Sequence, residues 1–401
     1  MKKNISQKRK ICFVITNFIH YSRNMLILNE LKKRKDVELH VAVGGSALLP
    51  KYSSRYAHIK ELLQADGIKN VHEVFFNLEG DTTVVRAKTA GLGIVEFANL
   101  FGELMPDVVV VRGDRFEVLS ATAAAAYMNI TVAHIEGGDV SGTLDESVRH
   151  AITKLSHIHF VTNEPARKRV IAMGENKKYV FNFGSPDIEV VHKISGAGKM
   201  IDLNETGSGA SFDHSGEFLI VLYHPVSTEF DTLPEQTKQV LKAVYELHIP
   251  TIWFWPNVDI GAEEISHELR VFNNEVKDHK IRFMRYLPPK KFISLLNNAR
   301  CLIGNSSAGI KECSYLGVPV VNIGSRQRNR LRGANVVDVK YDSSAIKRAI
   351  SLQVSKGRYE PSHVYFLKDT SKNIAATLAT IPLYIQKKFH EKVSDKIKGK
   401  K

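Results

Sequence analysis

The chain has 401 residues, 43% of them hydrophobic and 24% charged, with a formal net charge of +14. That composition supplies two cores of ordinary size and excludes a disordered, fibrous or disulfide-stapled chain. The charge sits at the ends: residues 1–10 hold Lys2, Lys3, Lys8, Arg9 and Lys10 without an acid, and residues 387–401 hold seven lysines against Glu391 and Asp395. The body between them is close to neutral, which fits solvated ends better than a surface for nucleic acid or an anionic membrane.

The opening MKKNISQKRKICFVITNFI resembles a secretion signal only superficially. Its apolar run is short, contains Asn17 and leads into polar HYSRN without a small-residue cleavage site, so a first buried strand fits better. From there short β-branched runs alternate with longer helical patterns. Strands are expected at 11–16, 38–43, 107–111, 131–135 and 159–162, and helices at 23–34 and 116–127. Runs such as DVVVV and ITVAHI lack polar alternation, as in strands of a parallel sheet covered on both faces. His157 and His159 flank the last of these strands at a spacing that gives little reason to expect a metal.

Residues 194–217 are rich in Gly, Ser and Asp and read as a loop or linker. The strand rhythm then restarts with FLIVLYHP, IPTIWFWPN, IRFMRYL, ARCLIGNSS and VPVVNIG. Helical patterns follow at 344–353 and 370–388. No run approaches the roughly 18 apolar residues of a membrane span, and Cys12, Cys301 and Cys313 are too few and too far apart for a disulfide framework, which fits a cytoplasmic chain. The expected fold class is α/β, with two Rossmann-like domains (1–193 and 194–370) facing a central cleft.

Ligands of open parallel sheets bind beyond the carboxyl ends of the strands, and here those ends are polar. Arg112, Gly113, Asp114 and Arg115 follow one strand; Glu136, Gly137, Gly138 and Asp139 follow the next. In the second half the corresponding groups are His224, Asn257, the run Gly304–Asn305–Ser306–Ser307, and Arg326 with Arg328. In CLIGNSSAGIKECSYLGVPVV a strand stops at Gly304 and a helix is expected from about Ala308. Free amides there, beside the Ser306 and Ser307 hydroxyls, suit a diphosphate; a serine cap with nothing bound is the plainer alternative. Glu312, further along that helix, is placed either to accept from a ribose diol or to face solvent. There is no G-x-G-x-x-G after the first strand, no phosphate-binding P-loop and no Asp-rich cluster, so neither a cofactor nor a metal is expected.

In HIEGGDVSGTLDESVRHAITKLSH, Thr143 and Glu146 have capping-box spacing. Val148, Ile152 and Leu155 then form a buried stripe. Asp145 falls in the first turn, where the helix dipole alone is enough to favour a carboxylate. Arg149 and His150 are left either facing the cleft or solvated. Asp114, Glu136 and Asp145 form a set of neighbouring carboxylates, and mutual repulsion would separate acid from base forms near neutrality, as proton movement on a sugar requires.

The stretches GDRFEVLSATAAAAYMNITVAHIEGGDVSGTLDESVRHAITKLSH, HPVSTE, WPNVD and IGNSSAGIKECSYLGVPVVNIGSRQ resemble the UDP-N-acetylglucosamine 2-epimerases. The serine-glycine-threonine form with Asp145 resembles their hydrolysing branch, which opens sialic acid and legionaminic acid biosynthesis. The resemblance covers roughly residues 105–330 in clear motifs. It implies a glycosyltransferase-B-like fold whose last helix, in 371–401, crosses back to the first domain ahead of a basic tail. It also implies release of UDP and the free 2-epimer through a glycal, with Asp114, Glu136 and Asp145 as catalytic acids and bases. Arg115 and His224 would line the sugar and phosphates, Asn257 the nucleotide, Ser306, Ser307 and Arg326 the diphosphate, and Glu312 the ribose. A UDP-linked N-acetylated sugar is the expected partner, UDP-N-acetylglucosamine first among them, and a homo-oligomer the expected assembly. Two departures stand out. The family's Arg-Ala-Asp-Tyr after the first strand is here Phe18-Ile19-His20-Tyr21-Ser22-Arg23, and its Tyr-Gly-Asp-Gly near the C-terminus is Tyr365-Phe366-Leu367-Lys368. They leave room for a 2,4-diacetamido-6-deoxy sugar.

Overall fold

The computed structural model describes residues 8–49, 58–80, 82–195, 203–205, 207–211, 216–256 and 260–391. The chain divides into two compact units. One comprises Met1–Asp139, Asp145–Pro186 and Leu367–Lys401; the other comprises Val140–Leu144 and Asp187–Phe366, each as far as described.

The first unit holds a seven-stranded parallel sheet: β1 (Arg9–Ile15), β2 (Val37–Gly44), β3 (Asn70–Val74), β4 (Val108–Arg112), β5 (Thr131–Ile135), β6 (Ile158–Val161) and β7 (Val180–Asn182), in the order 3-2-1-4-5-6-7. Every residue of β4, β5 and β6 is buried, which is what unbroken apolar runs require when helices cover both faces. The order reverses at β1, between β2 and β4, so the ends of β1 and β4 flank the switch point at which such sheets bind ligands. β3 and β7, short and less apolar, are strands the sequence pattern did not reveal.

The first helix begins at Phe18, five residues earlier than its periodicity suggests, because the Asn17 side chain accepts the Ile19 N–H at 2.9 Å and caps it. The helix Thr370–Thr380 belongs to this unit and packs on that first helix, Phe18–Lys32. It is shorter than the expected 370–388, since Pro382 holds Ile381 in an extended conformation. Beyond it the chain is tied down residue by residue. Tyr384 donates to the His157 carbonyl at 3.0 Å, and the His157 ring donates to the Ile385 carbonyl at 2.9 Å. Lys387, Lys154 and His159 then converge on buried Glu175, at 2.7, 2.6 and 3.1 Å.

The second unit repeats the plan with β8 (Ser208–Gly209), β9 (Leu219–Leu222), β10 (Thr251–Phe254), β11 (Ile281–Met284), β12 (Cys301–Gly304), β13 (Val320–Ile323) and β14 (Val336–Val339), ordered 14-13-12-9-10-11-8. All pairings are parallel except that of β8 with β11. β8 lies within the stretch 194–217 that reads as a linker; its two residues are too few to leave a pattern. Alternation sorts the core into two layers. Leu219, Val221 and Trp253 pack on one face, and Ile220, Leu222 and Leu302 on the other. Two Rossmann-like α/β units are the composition of a glycosyltransferase-B-like fold. Cys12, Cys301 and Cys313 are buried free thiols, and burial pushes the Cys12 thiol up to about 12. No helix among the described residues is long and apolar enough to cross a membrane.

Glu175 links the C-terminal segment to the sheet. Burial alone would raise its pKa, but hydrogen bonds from His159, Lys154 and Lys387 outweigh burial and hold it down at about 2. A carboxylate depressed in the folded state stabilises the fold above its unfolded pKa, and that contribution fades as pH falls toward the folded value. Glu175→Gln is therefore expected to lower the melting temperature at pH 7 by on the order of 5 °C. The gap should narrow steadily between pH 4.5 and 2. A thermal melt series against pH checks both the sign and the window.

Candidate active site

In the first unit the parallel strands deliver a charged cluster to one edge of the sheet. Arg112 closes β4 and is 1% exposed. Its Nε donates to Glu136 Oε2 at 2.9 Å and its Nη1 to Asn24 Oδ1 at 3.0 Å. Glu136 directly follows β5 and holds a left-handed backbone, φ +71°, which a non-glycine residue adopts only when its surroundings fix it. Its neighbours leave no freedom. Its own N–H donates to the Phe160 carbonyl at 2.9 Å, and a side chain at Gly137 would meet His134 and Thr153 at 2.9 Å.

Asp114 lies two residues past β4, after Gly113 at φ +83°. Its carboxylate pairs with Arg149, which is 2% exposed and also donates through Nη1 to the Asp139 carbonyl at 2.8 Å. His134 steadies the same loop from β5, donating from Nε2 to the Gly113 carbonyl at 2.8 Å. Burial lowers the His134 pKa to about 3, so its ring is neutral near pH 7. Asp139 is itself buried, with Oδ1 accepting from Asn163 Nδ2 at 2.9 Å.

Asp145 sits in the first turn of the helix Leu144–Leu155. Arg86 approaches it at 3.7 Å, and both side chains are partly exposed. His20, in the first turn of the helix Phe18–Lys32, is half-buried with Nε2 above Gly113. Burial, then the charges of Arg112, Arg115 and Arg23, hold its pKa near 3, so it too is neutral.

In the second unit the side-chain amide of Asn305, wholly buried after β12, accepts from the His224 N–H through Oδ1 and donates to the His224 carbonyl through Nδ2, both at 2.8 Å. This ties the end of β9 to the end of β12. Its carbonyl accepts from Gln327 Nε2 at 2.8 Å and Arg326 Nη1 at 3.2 Å, which fixes the loop after β13. Ser325 Oγ and the Tyr341 hydroxyl, the latter at 2.8 Å, both donate to Glu229. Burial drives the Tyr341 hydroxyl well above the usual range, so it remains a donor. Gly142 packs on this loop, donating to the Arg326 carbonyl at 3.1 Å where any Cβ would strike the Ser325 carbonyl.

Ser306 caps the four-residue helix Ser307–Ile310, accepting the Ala308 N–H at 3.3 Å. That helix breaks at Lys311 and a second, Glu312–Leu316, follows, so Glu312 opens a new helix. It is 4% exposed, which removes the reading of a solvated helix acid.

The structure thus places Asp114, Glu136 and Asp145 in one unit with Arg115, and His224, Ser306, Ser307, Glu312 and Arg326 in the other. Asn257 lies outside the described residues. Two expectations change. Arg149 is neither solvated nor free to face a ligand, because its guanidinium is committed to Asp114 and Asp139. Repulsion among bare carboxylates is likewise the wrong picture, since Asp114 and Glu136 each carry a buried arginine. Arg115 is also engaged, forking onto Glu117 at 3.1 Å through two nitrogens. The sequence names Arg112 and Arg149 without revealing their roles; an arginine closing an otherwise apolar strand was the available signal. Glu229 and Asn305 stand within quoted motifs but show no local sign of being hubs. Among the described residues no cluster of His, Cys, Asp and Glu could hold a metal ion.

Two doubly wound units, with carboxylates on the strand ends of one and hydroxyl, amide and guanidinium groups on those of the other, are the components of a glycosyltransferase-B-like fold. The family model described as UDP-N-acetylglucosamine 2-epimerase matches residues 29–379, and the chain belongs to that family. It is 34% identical over 379 residues to a UDP-N,N'-diacetylbacillosamine 2-epimerase (hydrolyzing) of Legionella pneumophila, covering 94% of this chain and 97% of that one. It is 32% identical to a UDP-N-acetylglucosamine 2-epimerase of Neisseria meningitidis, covering 90% of this chain and 92% of the other. Among solved structures, a UDP-GlcNAc 2-epimerase from Neisseria meningitidis bound to UDP-GlcNAc matches with a TM-score of 0.73 at 15% identity, over 92% of this chain and 99% of that one. One from Methanocaldococcus jannaschii in complex with UDP-GlcNAc and UDP matches with a TM-score of 0.72 at 16% identity, with the same shares covered.

The Asn305–His224 exchange makes a direct prediction. Asn305→Ala strips partners from a buried N–H and a buried carbonyl, and should destabilise the second unit by about 2 kcal/mol or more. Chemical denaturation read at Trp253 and Trp255 measures it; a loss within 0.5 kcal/mol, about the scale of a neutral surface change, would contradict the hub.

Proposed function

We propose that the protein is a hydrolysing 2-epimerase that converts a UDP-linked 2-acetamido sugar to the free 2-epimer and UDP. The observation that carries the reading is the gathering of Asp114, Glu136 and Asp145 on adjacent strand and helix ends of one unit, two of them anchored by buried arginines.

The C2 hydrogen of a sugar is not acidic by itself. Breaking the C1–O bond to UDP develops positive charge at C1, and a carboxylate then takes the C2 proton as the C1–C2 double bond forms. The product of this step is a 2-acetamidoglucal and UDP. A proton delivered to the opposite face of C2, with water oxygen bonding to C1, gives the epimerised free sugar. Arg326, Ser306 and Ser307 supply donors suited to the departing diphosphate, and Glu312 an acceptor for ribose.

UDP-N-acetylglucosamine is one candidate substrate, supported by the Neisseria relative. A UDP-linked 2,4-diacetamido-6-deoxy sugar is favoured by the 34% identical Legionella relative and by a 31% identical Campylobacter jejuni protein, a GDP/UDP-N,N'-diacetylbacillosamine 2-epimerase (hydrolyzing). Either product suits the biosynthesis of sialic-acid-like sugars.

Incubation with each nucleotide sugar, followed by NMR of the products, tests the reading. Free 2-epimer and UDP are expected; a product still linked to UDP would point to a non-hydrolysing epimerase. Asp114→Asn, Glu136→Gln and Asp145→Asn should each lower turnover by on the order of a hundredfold or more with the fold intact. Normal rates in all three would remove the assignment.

A further inference from the structure

We propose that Arg149 is a positioning residue of the reaction, holding Asp114 ionised and aimed by gripping it and the Asp139 carbonyl with one guanidinium. The inference rests on the reading of Asp114 as a group that moves a proton.

The geometry is that of a fixed fork. Nη2 meets Asp114 while Nη1 donates to the Asp139 carbonyl at 2.8 Å, so the guanidinium plane is set by two partners on different loops. The Arg149 carbonyl in turn accepts from Thr153 Oγ1 at 3.0 Å, and Thr153 touches the His134 ring at 3.2 Å. The Asp114 loop is therefore held from two sides: Arg149 at its carboxylate, and His134 at the Gly113 carbonyl. These holds differ in kind. His134 is neutral, whereas Arg149 is charged, its burial penalty outweighed by the fields of Asp114, Asp139 and Asp145. Of the other groups nearby, His20 above Gly113 is neutral and Arg115 is forked onto Glu117. Arg149 is thus a buried positive charge that pairs directly with Asp114.

Arg149 also stands four residues after Asp145, one helical turn along the helix Leu144–Leu155. One helix thus presents a candidate catalytic acid in its first turn and the anchor of a second at the next. Lysine cannot copy this, since a single ammonium on a flexible stem does not fix two partners in one plane.

The test uses the full-length enzyme with the UDP-linked substrate it turns over, and compares Arg149→Met, Arg149→Lys and Asp114→Asn with the parent chain. Removing the neighbouring cation favours the protonated carboxyl. In Arg149→Met the acid limb of kcat/KM should therefore move up by on the order of one pH unit. Its kcat should fall by on the order of a hundredfold with KM changed less than about threefold. Arg149→Lys should return the acid limb to its parental position while kcat stays at least about tenfold down. If Arg149→Met does not fold by circular dichroism, Arg149→Lys carries the test alone. An unshifted acid limb in Arg149→Met, or near-parental kcat in Arg149→Lys, would overturn the proposal. If Asp114→Asn abolishes turnover in that case, the epimerase reading survives without Arg149; if Asp114→Asn is fully active, the functional reading itself fails.

Discussion

A guanidinium excluded from water is tolerated only when its charge and its hydrogen-bond donors are met, and Arg112 and Arg149 are both so excluded. Each meets that cost with a carboxylate on a strand-end loop: Glu136 for Arg112 and Asp114 for Arg149. The rest of the first unit's edge follows. Glu136 keeps a left-handed backbone because the pair, the β6 carbonyl and the tight glycines beside it leave no alternative. Asp114 keeps its place because the loop is fixed at both its carbonyl and its carboxylate.

Carboxylates placed in this way suit an elimination better than a bare acidic cluster does. A base that must meet a carbon-bound proton gains most from orientation, and anchoring to a buried arginine supplies it. Asp145, 3.7 Å from Arg86, is partly exposed. The second unit works by a different device. Asn305 ties two strand ends together and anchors Gln327 and Arg326, while Glu229 holds Ser325 and Tyr341. The loop that carries Arg326 is thus braced by amides, hydroxyls and the Glu229 carboxylate.

Much of this was legible in the sequence, for identifiable reasons. DVVVV and ITVAHI are continuous apolar runs because β4 and β5 are covered on both faces, and the polar residues after them mark the edge where ligands bind. Signals failed where the information was not local. β3 and β7 are short and partly exposed, and β8 has two residues. The helical periodicity of 370–388 runs past Pro382, yet the helix ends at Thr380 because Pro382 holds Ile381 extended. The pairing of Arg149 with Asp114 joins residues 35 apart in sequence, and no spacing rule reaches across a β-α-β unit. The same holds for Asn305 and His224, which are 81 apart. The motifs mark the candidate site; the fold adds the buried arginines that pair with two of its carboxylates.

The central claim is that anchored carboxylates remove a proton from C2 of the sugar and that a different proton returns there while water oxygen enters C1. Turnover of the UDP-linked substrate in deuterium oxide enriched in oxygen-18, followed by mass spectrometry and NMR of the released sugar, reads both events at once. The account predicts one solvent deuterium at C2 and the heavy oxygen at C1. A released sugar that retains the substrate's own hydrogen at C2 would contradict it.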